Sequence, residues 1–306
     1  MDVTALRRAT DVSALGTEMY ALVEDLYPLC RSITGEGLRE TLRRIGACIP
    51  LQIEEVPTGT RAFDWTVPDE WTIRDAYVRD RQGRRVIDFN RSNLHVLGYS
   101  TPVDARMSLA ELRPHLHTLP DQPDLVPYRT SYYSERWGFC LSHHQLLELE
   151  ALGDDVDYEV RIDSTLAPGA LSYGELLVRG ATSDEVLISC HACHPSLCND
   201  NLSAISVAAM LARLLSGRSL RLSYRFLFAP GTIGSIVWLA RNAEHTHRIR
   251  HGLVLANLGD NGAFTYKRSR RENAVVDRAV THVLRTSGRP HRVQPFTPYG
   301  YDERQY

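Results

Sequence analysis

Apolar residues near the start of the chain recur every three or four positions. Leu15, Met19, Leu22, Val23 and Leu26 share one face and predict a helix over about 12–29. Pro28 and the stretch Arg31-Ser32-Ile33-Thr34-Gly35 interrupt it, and a short amphipathic helix is expected over 37–46. Leu51 to Val56 alternates with period two, as a strand does, and stops at Pro57-Thr58-Gly59. Between about 60 and 168 the pattern becomes short, aromatic and β-like. Ala76–Val78, Val86–Phe89, Leu94–Leu97 and Tyr158–Ile162 read as strands, with a helical piece over 143–152.

From about 174 onward, strands and helices alternate. Glu175–Arg179, Val186–Cys190, Leu222–Phe228 and Leu253–Leu258 read as strands, and 201–216, 233–243 and 273–286 as helices. Strands separated by helices of this length predict βαβ units and a sheet covered on both faces. The fold class expected is therefore α/β, in two sequence pieces. Residues 1–59 and 169–306 form the α/β domain, and 60–168 form a smaller β-rich module inserted into it.

Composition narrows the function classes. The 306 residues are 43% hydrophobic and 24% charged, the range of a globular protein rather than a fibrous or disordered one. A formal charge of -2 provides no overall basic field for nucleic acid, and the local cluster Lys267, Arg268, Arg270 and Arg271 reads as solvated surface. No apolar run reaches the ~18–20 residues of a membrane span. Met1 to Glu18 lacks the apolar core of a signal peptide, so a cytoplasmic protein with no membrane partner is expected. Three of the six cysteines, Cys190, Cys193 and Cys198, crowd together, which points to a site rather than to disulfide staples.

That crowded segment carries the chemistry. The strand Val186–Cys190 delivers His191 and His194 at its carboxyl end, and Asn199-Asp200-Asn201 opens the next helix. Sites of α/β sheets form beyond the carboxyl ends of strands, and imidazole with carboxylate suits a catalytic zinc. Three other readings compete. Cys190-His-Ala-Cys193-His194 has the spacing of c-type haem attachment, Cys-x-x-Cys also suits a redox pair or half a structural zinc site, and Asp200 could simply cap the helix. Two histidines and a carboxylate within ten residues favour a metal.

Further segments run nearly end to end: Cys30-Arg-Ser-Ile-Thr-Gly-Glu-Gly37, Val56-Pro-Thr-Gly-Thr60, Phe63-Asp-Trp-Thr-Val-Pro-Asp-Glu-Trp71, Ile73-Arg-Asp75, Asn93-Leu-His-Val96, Trp137-Gly-Phe-Cys-Leu-Ser142, Cys193-His-Pro-Ser196 with Asn199-Asp-Asn-Leu-Ser203, and Pro230-Gly-Thr-Ile-Gly-Ser235. On these the chain shows a resemblance to the bacterial aminopeptidase-like family, whose members join a zinc-aminopeptidase domain to an inserted β module. It implies a three-layer fold, a mixed sheet between helices, and a zinc held by His191 or His194 and by Asp200. It also implies a further metal carboxylate near the strand predicted at 253–258, for which Asp260 is the candidate. A Glu-Glu pair is expected after the strand 222–228, yet Ala229-Pro-Gly-Thr-Ile-Gly-Ser235 holds no carboxylate. Tyr301-Asp-Glu-Arg-Gln-Tyr306 resembles the segment that lines the catalytic pocket, leaving Glu303 or Asp302 to move protons.

The resemblance further implies a last histidine ligand beyond residue 306, so the chain is expected to be incomplete at its C-terminus. An uncovered sheet edge would then favour homo-oligomers, and the missing histidine would weaken metal binding. The function expected is hydrolysis of an amide bond in a peptide or aminoacylated small molecule. The alternatives are a metal-dependent amidase or deacylase on a sugar or natural-product intermediate, and a non-catalytic remnant of the fold acting in binding or assembly.

Overall fold

A computed structural model describes residues 10–300 and 302–306. The expectations for the first nine residues and for Tyr301 lie outside the described residues. Helix α1 (Val12–Leu26) begins where the Asp11 carboxylate accepts from the Ser13 and Ala14 N–H groups, and α2 (Glu36–Cys48) follows. The main sheet has the order β1 (Gln52–Pro57), β10 (Ala170–Val178), β12 (Ser223–Ala229), β11 (Glu185–His191), β13 (Ile249–Val254). β1 and β10 run antiparallel to their neighbours, whereas β12, β11 and β13 are mutually parallel, so the sheet is mixed.

Alternation along β12 builds two cores. Phe226 and Phe228 face α1, α2 and α5 (Ala204–Leu215); Leu227 and Ala229 face α6 (Ile233–Arg241) and the inserted module. The arrangement is three layers around a mixed sheet, as the resemblance implied. The middle of the chain adds a four-stranded antiparallel sheet of β5 (Arg85–Asp88), β4 (Glu70–Arg79), β9 (Asp157–Ala167) and β6 (Val103–Ser108). Small pieces complete it: β2 (Arg61–Ala62) with β3 (Trp65–Thr66), α3 (Leu109–Leu112), β7 (Leu116–His117) with β8 (Phe139–Cys140), and α4 (His143–Glu150) behind a Ser142/Gln145 capping box. Toward the end, β14 (Phe264–Lys267) pairs in parallel with β15 (His291–Gln294) across α7 (Val275–Thr286). Among the described residues no helix is long and apolar enough to cross a membrane.

Two elements differ from the pattern-based expectation. Leu94–Leu97 is not a strand: Asn93–His95 is a single 3-10 turn, started by Ser92 accepting from the Leu94 N–H. The strand expected at 253–258 lies earlier, at Ile249–Val254, where its partner β11 is available. Beyond it, Asn201 claims the backbone: its side chain donates to the Leu255 carbonyl and accepts from the Asn257 N–H.

The turn between α1 and α2 is buried and locks onto β4. The Trp71 N–H donates to Thr34 Oγ1 at 3.0 Å, and the Thr34 hydroxyl shares a hydrogen bond with Tyr99. Trp71 itself is buried, stacked on Tyr99 with centroids 5.6 Å apart, while Phe63 is exposed. Gly35 has φ +92°, and a Cβ there would lie 2.0 Å from the Trp71 carbonyl oxygen. Gly35→Ala is therefore expected to cost about 2–4 kcal/mol, from a forbidden backbone conformation plus a backbone clash. Urea unfolding checks this; an unchanged midpoint would show that the turn relaxes freely.

Candidate metal centre

β11 is an interior strand, largely buried and paired on both sides with β12 and β13, and His191 closes it opposite Ala229 of β12. A loop then returns His194 beside His191, with ring centroids 4.6 Å apart. The following turn, 198–203, breaks the helix expected to begin at 201; α5 starts only at Ala204. That break frees Asp200 from capping. Its Oδ1 lies 2.7 Å from His191 Nε2 and its Oδ2 3.2 Å from His194 Nδ1. One ligand atom from each of His191, His194 and Asp200 lies within 4.8 Å of the others.

The supports of this cluster come from distant parts of the chain. Asp302 Oδ2 accepts from His191 Nδ1 at 2.8 Å, and Asp302 Oδ1 accepts from the Thr232 N–H at 2.7 Å. The Gly231 N–H points at Cys193 Sγ, 3.3 Å away, so the loop after β12 faces the site with backbone donors where carboxylates were expected. Asn201 donates to the His191 carbonyl at 3.1 Å, tying the loop after β13 to the end of β11. Tyr128, from the inserted module, sets its ring 5.1 Å from that of His194 and bonds the Tyr132 hydroxyl at 2.7 Å.

Electrostatics follow from this crowding. Burial pulls the His191 pKa down, but Asp200 and Asp302 outweigh it and raise it to about 9. His194 is raised to about 10: burial opposes, while the neighbouring Cys193 and Asp200 prevail. Burial would raise both carboxyls, yet the imidazoles hold Asp200 and Asp302 below the usual carboxylate range. The surrounding Asp200, Asp302 and Cys193 thus favour the protonated imidazoles, so a metal entering the cluster competes with protons.

The donor set fits zinc. Two imidazoles and one carboxylate are its catalytic ligand types, and three protein ligands leave a position open for water or substrate. His194 Nδ1 is buried with no hydrogen bond, although Asp200 Oδ2 is near, so an acceptor-facing donor there is geometrically unpaired. The carboxylate on His191 Nδ1 is the partner a metal-bound imidazole ordinarily has.

Of the residues singled out by sequence, the structure brings together His191, His194, Asp200 and Asp302. Asp260 stands outside this group; its exposed carboxylate accepts from Asn199 Nδ2 at 2.9 Å and from the Gly262 N–H at 2.6 Å. Glu303 accepts from Lys267 Nζ at 2.8 Å and from the Gly300 N–H. Sequence reasoning did not find Tyr128 or the structural role of Asn201. Asn201 lay inside the recognised Asn-Asp-Asn run, whereas Tyr128 left no local signal.

The fold is that of an aminopeptidase-like α/β protein. The architecture is shared with a zinc aminopeptidase from Bacillus subtilis (TM-score 0.61, 11% identity, 90% of this chain and 79% of that one). A peptidase M28 precursor from Shewanella amazonensis shares it as well (TM-score 0.57, 10% identity, 94% of this chain and 80% of that one). The chain belongs to the family described as a domain of unknown function, DUF4910, which matches residues 20–306. It is also 50% identical over 294 residues to a Clostridium acetobutylicum protein provisionally named a polysaccharide biosynthesis protein with aminopeptidase-like domain, covering 96% of this chain and 67% of that protein. The crystal structure of a provisionally named peptidase from Clostridium acetobutylicum superposes with a TM-score of 0.93 at 50% identity, over 96% of this chain and 68% of that one.

Proposed function

We propose that the chain is a metal-dependent amide hydrolase whose centre is the His191–His194–Asp200 cluster, with zinc as the metal. The observation that supports this reading most is the convergence of two imidazoles and a carboxylate just beyond the carboxyl end of β11. A bound zinc supplies Lewis acidity and a water whose pKa falls to about 7. The protein's own residues do the positioning. Asp302 holds the Nδ1 proton of His191 and so fixes the tautomer that presents Nε2 to the site. The Thr232 N–H in turn fixes Asp302, and Tyr128 covers one side of His194.

The substrate is an amide of a peptide or an aminoacylated small molecule. A second reading, a sugar-linked amide, is favoured by the absence of a carboxylate in Ala229–Ser235 and by the naming of the Clostridium acetobutylicum relative for polysaccharide biosynthesis. Zinc titration followed by turnover assays on aminoacyl-nitroanilides and N-acyl amino sugars tests both. Zinc-dependent turnover of either substrate set is the expected result, and a zinc-loaded protein inert toward both sets would refute the hydrolase. Glu303→Gln separates a further role: retained zinc with lost hydrolysis assigns Glu303 the proton transfer, and an unchanged rate removes it.

A further inference from the structure

The Arg31 turn supplies no ligand to the metal cluster, but it touches the backbone of one, His194. Arg31 is 1% exposed. Its Nε donates to the His194 carbonyl at 2.8 Å and Nη1 to the Leu26 carbonyl at 2.5 Å, while the buried Nη2 has no partner. Asn93 is 6% exposed; its Nδ2 donates to the Pro28 carbonyl at 3.3 Å, which fixes the amide orientation and leaves the buried Oδ1 without a partner. Both residues line one cavity of about 10 Å³, room for one water-sized group. Pro195, adjacent to His194, and Tyr128, which packs on the His194 ring, line the same cavity.

A lone buried donor and a lone buried acceptor, on two residues that line one small space, specify the chemistry of what would pair with both. A carboxylate or phosphate oxygen accepts from Arg31 but sets lone pair against lone pair at Asn93. An ammonium satisfies Asn93 but confronts the guanidinium. An apolar group leaves both unpaired, which buried polar groups rarely are. Only an oxygen that accepts and donates at once completes both bonds.

We propose that this cavity is a hydroxyl-binding subsite beside the metal centre, in which a hydroxyl of a carbohydrate-like substrate accepts from Arg31 Nη2 and donates to Asn93 Oδ1. The word substrate rests on the hydrolase reading above, but the binding itself needs no metal. The Arg31–His194 hydrogen bond then connects hydroxyl recognition directly to the backbone of a metal-ligand candidate.

The test uses the full chain stripped of metal with a chelator. N-acetylglucosamine and its monodeoxy analogues are titrated by saturation-transfer NMR. Saturable binding is expected, weakened about tenfold or more by removal of one particular hydroxyl, because a site built for a hydroxyl is left with unpaired groups by its deoxy analogue. Asn93→Leu should weaken the sugar to a similar extent and leave zinc affinity unchanged. No saturable binding, or equal binding of every deoxy analogue, would overturn the proposal and leave the cavity to a structural water. The deoxy series does not alter the protein, so misfolding of the variant cannot mask the result. Zinc titration of the same sample reports on the metal reading separately: sugar bound without zinc binding sinks only the latter.

Discussion

Asp200→Asn is expected to lower zinc affinity by more than about 100-fold while leaving the fold intact. The substitution keeps the size of the side chain and removes the charge that faces both His191 and His194. Asp200 caps no helix, since the N-cap position of α5 is Ser203, so the loss falls on the site rather than on α5. Changing a group behind the ligands ordinarily costs ~10–100-fold in metal affinity, and loss of a ligand costs more. Asp302→Asn should accordingly fall in the smaller range, because His191 keeps its place but loses the carboxylate on Nδ1. Competition with a chromogenic chelator measures both. Equal affinities for wild type and Asp200→Asn would remove the carboxylate, and with it the proposed centre.

The second large effect concerns stability. Arg225→Ala is expected to destabilise the fold by about 3–5 kcal/mol. Arg225 lies on β12 and grips both neighbouring strands. Nε and Nη2 bond the two oxygens of Glu185 on β11 at 2.6 and 3.0 Å, and Nη1 bonds Glu175 on β10 at 2.9 Å. Trp238 Nε1 of α6 donates to the same Glu175 oxygen at 3.0 Å. Removing the guanidinium strands Glu185, 3% exposed, in the low-dielectric core. The penalty is mostly that orphaned charge, so the triple variant Arg225→Met, Glu185→Gln, Glu175→Gln should recover much of it. Guanidinium unfolding of the three proteins checks the pair of statements; a loss below about 1 kcal/mol for Arg225→Ala would show that water reaches Glu185.

How legible all this was depends on the distance along the chain between partners. His191, His194 and Asp200 occupy ten consecutive residues, so strand end, turn and helix entry could be placed from local pattern alone. Whether Asp200 capped or coordinated could not be, because both require the same residue type at a helix entry. The decision came from the break at 198–203, which turns the carboxylate toward the imidazoles. Asp302 entered the reading only through resemblance; its contact with His191 spans 111 positions and leaves no periodicity. Arg225 sits inside a run read simply as a buried strand, and its ion network is invisible to hydrophobic patterning because its partners lie on other strands.

By itself, the sequence determined the alternation of strands and helices, the change of character between 60 and 168, and the strand end that carries the two histidines. These are local properties, set by side-chain periodicity and by turn residues acting on their own neighbours. Only the tertiary structure decided which polar groups meet. It buried the Arg31 turn against the inserted module, shifted the strand before Asn257, and brought Asp302 and Tyr128 to the imidazole pair. The reason is that a buried hydrogen bond or ion pair is fixed by the packing of whole layers around it, and no short window of sequence contains both of its ends.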